Sequence, residues 1–188
     1  MITSSPPTRT LAPQQLCLLL WKNNLFIHIQ NKDCKLTSAI LRLIERQRNG
    51  QEIDQELVKK IIGSFVSLGF NEADINGVCL DVYKQHFEIP FLEATEKYYK
   101  LESAALLTKN SISDYLKKAE EWLREEEDRV ERYLDANTRR LLIGKCVHVL
   151  VQENPKLTHE DLQSSPDDDK EENIKRMQTL LARASDDC

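Results

Sequence analysis

The chain has 188 residues, 40% hydrophobic and 30% charged, with a formal net charge of −5. That length suits one domain or one elongated helical unit, and only five Gly and six Pro leave few sharp turns. The acidic balance excludes a nucleic-acid surface, which needs a clustered basic face to displace phosphate counterions.

Residues 1–10, "MITSSPPTRT", are polar and aperiodic and are expected to be disordered. Pro13 suits a first helical turn, and Leu16, Leu19, Leu20, Asn23 and Phe26 follow at i,i+3 and i,i+4 spacings with one apolar face. "LCLLLW", Leu16 to Trp21, is too short to span a membrane, which takes about 20 apolar residues, and polar residues flank it. After "QNKDC" a second helix is expected from Leu36 to Asn49, with Leu36, Ile40, Leu43 and Ile44 inward and Gly50 as a left-handed stop. Asp54 should cap a third helix that buries Leu57, Ile61, Ile62, Phe65 and Leu68 and ends at Gly69.

Asn71 could cap a short turn leading to Val78. A longer segment follows in which apolar and aromatic residues recur at helical spacing, and Pro90 predicts a kink or break within it. Ser111 or Ser113 opens a helix reaching at least to Leu134, and Asn137 or Thr138 caps the next, striped by Leu141, Leu142, Cys146, Val149 and Leu150. "SSPDDDKEEN" reads as an acidic linker. Ile174 to Ala184 reads as a last amphipathic helix, exposing Ile174, Met177, Leu180 and Leu181 unless something packs on them. The fold class is therefore all-α, a bundle or solenoid segment of five to seven helices. Three regions are expected: residues 1–10, the helical repeat region 11–163, and the acidic linker with its last helix, 164–188.

Between Glu120 and Arg132 stand seven acidic and three basic residues. Carboxylates so crowded could serve acid–base or di-metal chemistry, but no His falls three residues after any of them, as a di-iron bundle requires. The pairs Lys117–Glu121, Glu120–Arg124, Glu125–Arg129 and Asp128–Arg132 are all i,i+4, the mark of a solvated helix face. Tyr115, Ala119, Trp122, Leu123, Val130, Tyr133 and Leu134 form the inward stripe, interrupted only by Glu126.

The remaining chemistry is sparse. His28, His86, His148 and His159 lie on separate elements and outside any metalloprotease pattern, and the five glycines form no phosphate loop. Cys17, Cys34, Cys79, Cys146 and Cys188 are scattered, with no metal or redox spacing, so reduced, mostly buried thiols in the cytoplasm or nucleus are expected. No catalytic residue, cofactor or metal site is predicted.

"VYKQHFEIPFLEATEKYYKLES", Val82 to Ser103, resembles the cullins, whose N-terminal repeats carry the pattern Y-x-x-x-F-E-x-x-F-L-x-x-T-E-x-Y-Y-x-x-E-S. Here it falls on Tyr83, Phe87, Glu88, Phe91, Leu92, Thr95, Glu96, Tyr98, Tyr99, Glu102 and Ser103. "SDYLKKAEEWLREEEDRVERYL" is similar to the next cullin helix, through Tyr115, Lys117, Lys118 and Ala119. "LWKNNLF", "ILRLIERQRNGQEID" and "SFVSLGFNE" add to the likeness to an SCF-type cullin, which covers roughly Leu16 to Asn154.

The resemblance implies a non-catalytic scaffold segment of a cullin-RING ubiquitin ligase, a partial or truncated cullin. Family partners would be a Skp-type adaptor and a RING protein, with neither nucleic acid nor membrane involved. Only the close of one repeat, the next repeat and the start of a third are matched, so no adaptor, RING or modified-lysine residue is carried over. The alternative is a free-standing helical interaction module, or a competitor of an intact cullin.

Overall fold

The computed structural model describes residues 13–31, 34–69, 79–154, 157 and 167–184. The expectations for Met1–Thr10, Asn71–Val78, His159, Ser164–Pro166 and Cys188 lie outside them. Among the described residues every regular element is helical and there is no strand.

α1 (Pro13–Trp21) passes through a π-helical turn, Lys22–Phe26, into α2 (Ile27–Asn31). Cys34, in a left-handed conformation at φ 47°, turns the chain into α3 (Lys35–Arg48), and Gly50 at φ 78° turns it out again. The Asp54 carboxylate accepts from the Leu57 N–H at 2.9 Å to cap α4 (Gln55–Ser67). Gly69 is required by contact rather than by φ: a Cβ there would stand 1.7 Å from the Cys79 carbonyl oxygen. α5 (Asp81–Tyr83), a second π-helical turn (Lys84–Glu88) and α6 (Ile89–Leu107) form one path. Ser111 caps α7 (Ile112–Tyr133), its hydroxyl accepting from the Asp114 N–H at 3.2 Å. α8 (Thr138–Val147) ends in a third π-helical turn, His148–Gln152, and α9 (Asp167–Arg183) closes the described chain.

Several sequence expectations shift by a residue or a face. Leu57, expected inside, is 48% exposed, and Val58 takes its place; Leu141 is likewise outside while Ile143 and Val147 are buried. Leu16 and Leu20 are exposed although Phe26, on the same helical path, is buried. Asn137 precedes α8 without a capping bond from its side chain. α9 starts at Asp167, inside the stretch read as linker.

Pro90 neither breaks nor ends its helix. Proline has no N–H and cannot satisfy the carbonyl four residues back, which is that of His86. The Thr37 hydroxyl of α3 donates to the His86 carbonyl, and the Gln30 amide of α2 donates to the Thr37 hydroxyl at 2.8 Å. Both side chains are buried, so α3 supplies the missing donor and α2 holds that donor in place. The preceding π-helical turn absorbs the ring, with Ile89 N–H bonded to the Lys84 carbonyl.

The core is a run of aromatic contacts. Phe26 meets Phe65 edge-on at 5.2 Å, Phe87 and Phe91 stack at 5.5 Å, and Tyr99 lies 5.5 Å from Trp122. α9 lies on α7 and α8, with Leu180 buried and Met177 and Leu181 packed beside it. The apolar face expected of the last helix therefore finds its cover within the chain.

Candidate functional site

Four of the signature residues, Phe91, Thr95, Tyr98 and Tyr99, meet at one buried polar cluster between α3, α6 and α7. Arg48, at the end of α3, sends its guanidinium inward, and its side chain is 4% exposed. Its Nε and Nη2 donate to the two oxygens of Glu126 at 2.9 and 3.1 Å, and Nη2 also donates to Thr95 Oγ1 at 2.7 Å. The cation lies 5.2–5.5 Å from the ring centres of Phe91, Tyr98 and Tyr99. The Tyr99 hydroxyl donates to Glu126 Oε1 at 2.6 Å, and the Arg129 guanidinium pairs with that same oxygen. Gln47 Oε1 accepts from Arg129 at 3.2 Å and from the Tyr133 hydroxyl at 2.6 Å.

Glu126 is fully buried. Burial alone would raise its pKa, but the Arg48 and Arg129 charges, with the hydrogen bonds from Arg48 and Tyr99, hold the carboxyl at about 2. Burial opposes the Arg48 charge, yet Glu126 keeps it above its ordinary value. Burial and then Glu126 push the Tyr99 phenol upward, and burial and then Glu126 do the same to the nearby Cys146 thiol. That thiol is an inert core group, because reactivity needs an accessible thiolate, whereas Cys17 and Cys34, expected to be buried like it, are exposed and Cys79 is half-buried.

The other signature residues fall around this cluster. Tyr83 is buried, shares a 2.7 Å hydrogen bond with Thr138, and Thr138 donates to Glu88 at 2.6 Å. Ser103 donates to the Tyr115 hydroxyl at 2.8 Å, Tyr115 donates to the Leu150 carbonyl at 2.7 Å, and Asn154 donates to both hydroxyls. Phe87 and Phe91 are core, as is Ala119, and Leu92 packs at its edge. The Tyr98 hydroxyl donates to Asn49 at 3.1 Å. Glu96 bridges Lys100 and Lys145 at 2.8 and 2.9 Å, and those two bonds hold its half-buried carboxyl at about 2. Glu102 makes no ion pair among the described residues, Lys117 is exposed, and Lys118 pairs with Glu121 at 2.9 Å over the Trp122 ring.

The solvated face of α7 differs from its expected pairing. Only Asp128–Arg132 forms, at 3.4 Å. Arg129 leaves Glu125 for buried Glu126; Glu121 takes Lys118 rather than Lys117; and the Glu120 carboxylate is held by Arg176 of α9 at 2.7 Å. The acid on this helix thus serves three environments: core, α9 and water. Arg48, Glu126, Arg129 and Gln47 were missed as site residues. The one signal was Glu126 standing inside an apolar stripe.

Chemically the cluster holds helices in register. The Arg48 guanidinium, the Glu126 carboxylate and the Tyr99 hydroxyl at its centre are all spent on one another or on Thr95, and Arg129 Nη1 stands against Glu126 as an ion pair without a hydrogen bond of its own. A groove of about 350 Å³ between α3 and α6, floored by Ile44, Phe91 and Tyr98, reaches Arg48 only where that side chain is already committed to Glu126. Among the described residues no group of three or more His, Cys, Asp or Glu is placed to hold a metal ion. None of their helices is long and apolar enough to cross a membrane.

The sequence matches the family described as Cullin, Cullin alpha solenoid domain, over residues 6–188. Cullin-1 of Dictyostelium discoideum is 40% identical over 168 residues, 89% of this chain and 21% of that protein. Cullin-1 of Schizosaccharomyces pombe is 34% identical over 168 residues, 89% and 22% of the two chains. Cullin-3 of Dictyostelium discoideum is 33% identical over 175 residues, 91% and 22%. The chain spans about a fifth of the length of these relatives.

Proposed function

The chain belongs to the cullin family, and from that premise we propose that it is a non-catalytic arm segment of a cullin-RING ubiquitin ligase scaffold. The observation that carries this reading is where the signature side chains go. Tyr83, Phe87, Phe91, Thr95, Tyr99, Ser103 and Tyr115 are spent on buried contacts that lock α3, α6, α7 and α8 together. A rigid helical stack of this kind works by geometry: it keeps modules bound at its two ends at a fixed separation, which sets their effective concentration.

In this reading residues 11–163 form the repeat region and 164–188 the acidic linker with the last amphipathic helix, a Skp-type adaptor and a RING protein are the partners of the assembled scaffold, and the site of action is the cytoplasm or nucleus. The test is a chimera in which this chain replaces the matching segment of Dictyostelium Cullin-1. The chimera should co-purify with adaptor and RING subunit and support ubiquitin transfer to substrate. A folded chimera that holds both subunits yet transfers no ubiquitin would sink the spacer role. A second reading, a free-standing interaction module or competitor of an intact cullin, is favoured by the exposed apolar side of α1 and α2.

A further inference from the structure

α3 and the helical path through α6 run side by side in one direction, since Thr37 bonds to the His86 carbonyl while Arg48 and Asn49, further along, bond to Thr95 and Tyr98. The groove of about 350 Å³ between them has Ile44, Phe91 and Tyr98 as its apolar floor, and Leu41, Ala94 and Leu101 line its walls. Leu101 is 73% exposed, more than any other large apolar side chain among the described residues. The walls are tied from behind: Arg48 donates to Thr95 and Glu126, and the Tyr98 hydroxyl donates to Asn49 at 3.1 Å. The groove is therefore preformed, and filling it costs little ordering of the protein. Its rim differs from the opposite side of α6, where Glu96, Lys100, Lys145 and Glu153 spend their charges on one another. At the groove the rim holds Arg42 and Glu45 of α3 and Lys97 and Glu102 of α6, and among the described residues none of these four makes an ion pair.

We propose that this groove docks an amphipathic α-helix of a partner protein, with the apolar stripe of that helix on Ala94, Tyr98 and Leu101, acid on its flanks beside Arg42 and Lys97, and base beside Glu45 and Glu102. The length fits, because Leu41 to Asn49 spans about 12 Å at about 1.5 Å per residue, two turns of a helix. Two turns bring apolar side chains at i, i+3 or i+4, and i+7 onto one floor. The rim charges decide the occupant. A lipid tail or a wholly apolar segment would desolvate four charges and pair none of them, whereas a helix with flanks of both signs covers the floor and answers each charge. This inference does not depend on the scaffold role.

The probe is a fluorescent synthetic helix of about 20 residues, with Leu at the a and d positions of its heptads and Glu and Lys on its flanks, titrated with the 188-residue chain and read by anisotropy. Binding should saturate below about 1 mM. Leu101→Asp should weaken it at least about tenfold, since it places an unpaired carboxylate in an apolar contact. Lys97→Glu should weaken it about threefold, and a probe with Lys in place of its flanking Glu should bind that variant better than it binds the parent chain. Leu20→Asp on α1 and Leu141→Asp on α8, each on a 52% exposed side chain, should leave binding unchanged. Thermal melts matching the parent chain show that the variants fold. No saturable binding by the parent chain, undiminished binding by Leu101→Asp, no preference of Lys97→Glu for the charge-swapped probe, or equal weakening by either control would overturn the proposal. Association of the chain with itself that Leu101→Asp abolishes would overturn it in favour of a second copy.

Discussion

At the residue scale, Glu126 carries the most consequence per atom. Its carboxylate neutralises two buried guanidiniums, so its loss strands Arg48 and Arg129 without a counter-charge. Removing one member of a buried ionic cluster costs about 3–5 kcal/mol. Glu126→Gln should therefore lower the denaturation midpoint by that order, while Glu125→Ala, one residue away on the wet face, should stay within about 0.5 kcal/mol. Equal effects from both would show that the division of faces is wrong. The same carboxyl sets a pH dependence. Folded, it titrates near 2 rather than at its ordinary 4.5, so its stabilisation is complete above about 4.5 and drains away as pH falls toward 2. Thermal melts across that window should show a shallower acid slope for Glu126→Gln than for the parent chain. Half-buried Glu96 shares part of the slope and is present in both proteins.

At the element scale, the π-helical turn before Pro90 shows how a local misfit becomes a tertiary bond. The orphaned His86 carbonyl is met by Thr37, itself held by Gln30, so α2, α3 and α6 are tied at one point. Thr37→Val removes the donor and leaves a buried carbonyl unpaired, a loss of about 1–3 kcal/mol. Pro90→Ala restores a backbone N–H at the position where the ring had removed one. The two substitutions should therefore be coupled, with Thr37→Val costing less, by at least about 0.5 kcal/mol, in the Pro90→Ala background than alone. Strict additivity in urea denaturation would mean that the hydroxyl does not serve the proline. Helix caps followed simpler local rules: Asp54 and Ser111 act as their positions predict, because a cap needs only its own first turn.

At the scale of the whole molecule, α9 turns part of an acidic surface into an interface. Arg176 reaches Glu120 and Arg183 approaches Glu127 at 3.8 Å, both across to α7, while Leu180 is wholly buried below them. Apolar burial outweighs partly solvated ion pairs here. Leu180→Ala should cost about 2–5 kcal/mol, and Arg176→Ala no more than about 1 kcal/mol, with salt weakening only the arginine contribution. Hydrogen exchange along α9 would report both, and a larger effect from Arg176→Ala would reverse the ranking.

The sequence by itself determined the helical class, the order of the elements from Pro13 onward, the left-handed stop at Gly50 and the family signature, since period, caps and motifs are properties of neighbours along the chain. It also marked Trp122 and Leu123 as core, because a 3.6-residue stripe selects one face. It did not show that Arg48, 78 residues from Glu126, would meet it, or that Glu120 would face α9 rather than Arg124. The rank of a charged residue on a helix, solvated or buried, depends on what lies across from it. Only the tertiary structure supplies that neighbour, and with it the desolvation that makes one carboxylate of a crowded helix the keystone and leaves the next one in water.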